Sequence, residues 1–203
     1  MKAVTDEQRA ALRLLAPALE IDTYLAGGVG VAAMYEHRAS RDLDLFVPHD
    51  FEPERLEERL LVPNLRVTGR ARGTLHLEVA GIPASILSYR YRLLGAPEMR
   101  PDIAVPVASA DDLACMKVSA VAGRGAAKDF WDLEVLLAHG AGGGNLSSLL
   151  EHYARKFPVE DIGHAVRSLA YFAEADAAPL PIGLSPDAWR TMKARFAMLV
   201  RAL

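Results

Sequence analysis

Asp42 and Asp44 stand two residues apart in Arg41-Asp42-Leu43-Asp44-Leu45, and on an extended chain such side chains share a face. Their Cα atoms would lie about 7 Å apart. If the carboxylate oxygens converge to about 4 Å, repulsion costs on the order of 4 kcal/mol at an effective dielectric of about 20. A bound cation relieves it, and hard divalent ions such as Mg²⁺ use one or two carboxylates together with substrate phosphates. Upstream, Gly27-Gly28 falls where a strand should give way to a helix. Glycine there lets the backbone approach a ligand, and the helix start offers unpaired N–H groups to an anion. Each signal alone has a bland explanation, a tight turn or a solvated strand end. Their order is more telling: turn, one short helix, then paired acids brings a polyphosphate and a metal to one sheet edge. Arg38 and Arg41 precede the acids and suit bidentate clamping of phosphate oxygens.

The elements needed to position these groups are legible in outline. Thr5-Asp6-Glu7-Gln8 reads as a capping box opening a helix to about Glu20. Residues 23–26 suit a short strand, VGVAAMYEH a helix, and the segment around Leu43, Leu45 and Val47 a strand with those residues on one face. Pro53 opens a helix near 52–61. TLHLEV (74–79) and IPASILSY (82–89) flank Ala80-Gly81 as a hairpin. Beyond residue 109 the pattern is helical, with stretches near 110–124, 127–139, 146–156, 159–175 and 185–202, and GAGGGN (140–145) reads as a flexible loop. The expected fold is α/β: a small mixed sheet with flanking helices over residues 1–108, then a helical lobe over 109–203 that completes a site between the halves.

Composition narrows the function. The chain has 203 residues and a net charge of −3, which excludes a polycation that binds nucleic acid by bulk charge. Charge is uneven, however: residues 64–100 carry six arginines (66, 70, 72, 90, 92, 100) against Glu78 and Glu98, a local +4. Tyr89-Arg90-Tyr91-Arg92 interleaves rings and guanidinium groups, a surface suited either to a nucleic-acid end or to an edge strand guarded by charge. A single cysteine, Cys115, excludes an internal disulfide and a multi-cysteine zinc site. The six histidines are scattered without paired ligand spacing. No apolar stretch is long enough for a membrane span and no targeting segment opens the chain, so a cytoplasmic protein is expected.

YLAGGVGVAAMYEHRASRDLDLFV resembles the opening motifs of the nucleotidyltransferase superfamily related to DNA polymerase beta. More closely, it resembles the AbiEii/AbiGii-type toxin family, which reads approximately G-G-[ST], a helix, then R-x-S-x-D-[LI]-D. Here Gly27-Gly28 and Arg38 to Leu45 supply that pattern, with Val29 in place of the Ser or Thr. The family's later K-x-x-A-x-x-x-R-x-x-x-K-D-x-x-D-L stretch is matched at Lys117, Ala120, Arg124, Lys128-Asp129 and Asp132-Leu133. From spacing alone, Lys128 and Asp132 form a modest surface pair.

The resemblance implies metal-dependent transfer of a nucleoside monophosphate from an NTP to an acceptor hydroxyl, with tRNA the expected acceptor. It implies Asp42 and Asp44 as ligands of Mg²⁺ or Mn²⁺, Gly27, Gly28, Arg38, Arg41 and Lys128 as nucleotide-binding residues, and Lys117 and Asp129 as catalytic. It also implies a cognate antitoxin. Superfamily members often add a third carboxylate, for which Glu78 is the candidate; a solvated hairpin face explains that residue equally well. Two further readings stay open: a degenerate nucleotide- or partner-binding protein, and a nucleotidyltransferase acting on a protein.

Overall fold

A computed structural model describes residues 2–158 and 161–203. The chain clusters into two compact units, Met1–Tyr91 with Ala96–Ser109, and Arg92–Gly95 with Ala110–Leu203. Among the described residues no helix is long and apolar enough to cross a membrane.

The first unit is built on a five-stranded mixed sheet. Its strands are β1 (Tyr24–Ala26), β2 (Leu43–Val47), β3 (Leu65–Ala71), β4 (Thr74–Val79) and β5 (Ile82–Ser88), in the order β1-β2-β5-β4-β3. β2 and β5 run parallel and the other pairs are antiparallel. Leu43, Leu45 and Val47 share a buried face with Ala84 and Ile86 of β5 and Leu75, Leu77 and Val79 of β4. Ala80-Gly81 turns the β4–β5 hairpin with positive φ at both residues (49° and 83°), the twist such two-residue turns require.

Three helices belong to this unit: α1 (Asp6–Leu15), α2 (Gly27–Tyr35) and α3 (Pro53–Arg59). α1 opens with the expected capping box, Thr5 and Gln8 exchanging both hydrogen bonds, and passes at Pro17 into a single 3-10 turn. The 96–109 segment returns to β1, where Leu25 N–H donates to the Pro106 carbonyl and Ala108 N–H to the Leu25 carbonyl.

β3 is an addition to the sequence reading. It forms the far edge of the sheet, with a register shift between Val67 and Gly69, and its glycine and arginines mask the strand alternation.

The second unit consists of α4 (Ala110–Arg124), α5 (Ala127–Ala138), α6 (Leu146–Lys156), α7 (Gly163–Ser168), α8 (Ala173–Asp176) and α9 (Pro186–Arg201). Its core gathers Phe130, Phe172, Trp189 and Phe196, with ring centroids 5.2–5.9 Å apart. The single helix expected over 159–175 is instead two, and residues 159–160 lie outside the described residues. Phe172, just before α8, joins the ring cluster. The glycine run is not a flexible loop. Gly142 donates its N–H to Asp111 at 2.8 Å, and a Cβ there would stand 2.7 Å from Leu149, so the α5–α6 connection is a packed turn.

Candidate active site

Four of the expected residues meet at the start of α2. Gly27 has φ +63°, and a Cβ placed on it would lie 2.1 Å from Asp44 Oδ2. A Cβ on Gly28 would lie 2.4 Å from Ser40 Oγ and 2.9 Å from Arg38 Nη2. The two glycines are therefore the space into which an acid, a hydroxyl and a guanidinium fit. Asp44 is half-buried on β2, opposite Ala26 in register. Ala26, the N-cap of α2, makes no side-chain cap bond of its own, and a helix start presents its first N–H groups to an anion.

Arg38 and Arg41 part company. Arg38 is buried, with Nη1 donating to the Ala39 carbonyl at 2.9 Å, whereas Arg41 is exposed. Asp42 is also exposed, one residue before β2 begins. The loop carrying these residues is pinned from α1: the buried Gln8 Nε2 donates to the carbonyls of Ser40 at 2.7 Å and Arg41 at 3.1 Å. Gln8 thus serves the helix cap and the site loop together. Sequence reasoning saw only the cap, because nothing in the chain tells residue 8 from any other capping glutamine. Ser40 was visible inside R-x-S-x-D but had no role until its contact with Gly28 appeared. Val29, which stands where the family has Ser or Thr, is fully buried in α2.

Two carboxylates, one half-buried and one exposed, are a hard-oxygen donor set of the kind Mg²⁺ uses when substrate phosphates supply the remaining ligands. Among the described residues no group of three or more His, Cys, Asp or Glu side chains is arranged to hold a metal ion. Glu78 bonds to Arg66 at 2.9 Å on the hairpin face.

In the helical unit the K…R…KD…D pattern folds into one charge network. Arg124 grips Asp129 with two bonds of 2.7 Å, and Lys117 Nζ lies 3.3 Å from Asp129 and 2.8 Å from Asp132. Burial pushes the Asp129 carboxyl up, but the Arg124 bonds and the Lys117 charge outweigh it and hold it below the usual carboxylate range. Asp132 is fully buried and faces Lys117, while Lys128 is exposed, which corrects the expected Lys128–Asp132 surface pair. Helical spacing put those two on one face but could not reveal that Asp132 turns inward toward α4.

The fold is that of nucleotidyltransferase toxins. It superposes on the nucleotidyltransferase toxin MenT4 of Mycobacterium tuberculosis H37Rv with a TM-score of 0.60 at 15% identity, covering 97% of this chain and 82% of that one. JHP933 from Helicobacter pylori gives a TM-score of 0.56 at 13% identity, covering 98% and 92%. The sequence places the chain more closely. It belongs to the family described as nucleotidyl transferase AbiEii toxin, type IV toxin–antitoxin system, which matches residues 61–202, and is a nucleotidyltransferase of that family. An uncharacterized protein of Aquifex aeolicus (strain VF5) is 36% identical over 181 residues, 86% of each chain. The glycine turn and paired acids precede the family match, so the geometry around Asp44 is a separate line of support.

Proposed function

We propose that the chain transfers a nucleoside monophosphate from an NTP to an acceptor hydroxyl, with tRNA as the acceptor class. The observation that carries this reading is the packing of Asp44, Ser40 and Arg38 against Gly27-Gly28 at the start of α2. There the outer phosphates meet backbone N–H groups and the Arg38 guanidinium. Asp42 and Asp44 would hold Mg²⁺ or Mn²⁺, which when bound neutralises phosphate charge and stabilises the departing pyrophosphate. Arg41, exposed beside the acids, is assigned to outer contacts with the nucleotide. Within the second unit, Asp129 is assigned to fixing Lys117 and Arg124. A cognate antitoxin is the expected protein partner.

The test is label transfer from each α-labelled NTP, with Mg²⁺, into total tRNA and total protein, beside Asp42→Ala. Label in RNA that falls at least a hundredfold in the variant is the expected result, while the exposed position of Asp42 leaves the unfolding midpoint unchanged. Label found only in protein overturns the acceptor. Full activity in Asp42→Ala overturns the site.

A further inference from the structure

Across the sheet, three polar residues stand in one transverse row on the face that carries Asp44. Asp44 of β2 is in register with Ser85 of β5, and Ser85 with His76 of β4. Ser85 Oγ and His76 Nδ1 lie 2.9 Å apart. Neighbouring strands sit about 4.8 Å apart, so the Cα atoms of Asp44 and His76 are about 10 Å apart with Ser85 between them. That separation leaves room for a reacting oxygen between the acid and the ring. His76 is exposed and Ser85 half-buried.

We infer that His76 is the general base of the transfer, and Ser85 the residue that positions its ring. This rests on the proposed nucleotidyl transfer at Asp44. In that reaction the acceptor O–H loses its proton as oxygen bonds to the α-phosphorus and the bond from α-phosphorus to pyrophosphate breaks. Asp42 and Asp44 are committed to the cation, and Glu78, the carboxylate beside His76 on β4, is bonded to Arg66. The imidazole takes the proton on Nε2 and later returns it to water, while pyrophosphate leaves with the electron pair. A ring can accept at Nε2 only if Nδ1 carries the hydrogen, and in the proposed tautomer Nδ1–H donates to Ser85 Oγ across their 2.9 Å contact. The charged groups facing the ring are Glu78 on its own strand, with Arg66 of β3 opposite it, and Asp44 beyond Ser85. The remaining β3 neighbour is Gly69, which presents no side chain.

The experiment measures label transfer into bulk tRNA by wild type, His76→Gln, His76→Ala, Ser85→Ala and Asp44→Asn across pH. His76→Gln should lower kcat by about 10²–10⁴-fold, leave KM for the NTP within a few-fold, and remove the acid limb of the kcat profile. Added imidazole should restore part of the His76→Ala rate, which a structural role would not allow. Ser85→Ala should lower kcat less and keep the limb. Wild-type kcat with an intact limb in His76→Gln overturns the inference, provided that Asp44→Asn is inactive. Full activity in Asp44→Asn instead overturns the underlying reading of the site. If wild type labels no tRNA, the His76 Cε1–H resonance is followed while α,β-methylene NTPs and Mg²⁺ are added. It should move on saturation in wild type and stay still in Asp44→Asn; a resonance unmoved in saturated wild type overturns the inference.

Discussion

Gly27 carries two burdens at once, a left-handed backbone and a carboxylate against its Cα. Its φ is +63°, and any Cβ would overlap the Asp44 carboxylate at 2.1 Å. Gly81 has φ +83° with open space around it, so comparing the two alanine variants separates backbone strain from displacement of the acid. Gly81→Ala should cost about 1–2 kcal/mol, the left-handed penalty alone, with NTP affinity unchanged. Gly27→Ala should cost more and also weaken Mg²⁺-dependent NTP binding at least tenfold, read by urea midpoints and titration calorimetry. Equal stability loss with intact NTP binding in both would remove Gly27 from the site. At this scale the chain was partly legible. A glycine pair before a helix and acids at a two-residue spacing are local patterns, and in the fold Asp44 lies against Gly27. Which arginine reaches the turn was not legible, because Arg38 and Arg41 differ only in where the loop folds, and Gln8, far off in sequence, holds that loop.

Between elements, the corner joining α4 to α5 is held by charge rather than by apolar packing alone. Arg124 closes α4 and Asp129 lies in the first turn of α5, where a helix dipole favours an anion. Lys117, buried at 5% exposure, ties Asp129 to Asp132. Because the folded pKa of Asp129 is lowered, its ionised form stabilises the fold above the ordinary carboxylate range. That contribution fades as pH falls through the lowered folded value. Asp129→Asn should therefore cost about 3 kcal/mol at neutral pH, the lower end for breaking a buried pair. It should also flatten the loss of stability between about pH 5 and pH 3, where unfolded carboxylates take up protons. Urea unfolding of wild type and variant at several pH values checks both parts, and parallel curves would show that Asp129 is not the titrating group. Helix periodicity revealed these elements but not their junctions. Gly142 reads as loop from composition, yet its missing side chain is what lets the turn close on Leu149. Likewise the ring of Phe172 joins a distant aromatic cluster, where a continuous helix was expected.

Over the whole molecule, charge counted along the chain differs from charge counted in space. Residues 64–100 hold six arginines and two glutamates, a local +4, which reads as a basic island for RNA. In the fold, Glu57 bonds Arg70 and Asp50 pairs with Arg90, and both acids come from outside that stretch. Arg66 and Arg100 are taken by Glu78 and Glu98. Arg72 and Arg92 remain exposed and appear in none of these ion pairs. The +4 of this stretch thus falls to about two cations outside these ion pairs, Arg72 and Arg92, so its electrostatic contribution to tRNA binding is small. Each phosphate neutralised on a single strand contributes about −0.7 to the slope of log K against log salt, so two give about −1.4 and six would give about −4. Titrating labelled tRNA over a range of salt should return the shallow slope. Reversing Arg72 and Arg92 together to glutamate should flatten it further. Reversing Arg70 alone should change it less than reversing Arg72, because the Arg70 charge is already answered by Glu57. A slope steeper than about −3 would mean that RNA displaces Glu57 and Asp50 from their partners, and the paired arginines would then be the RNA-binding surface.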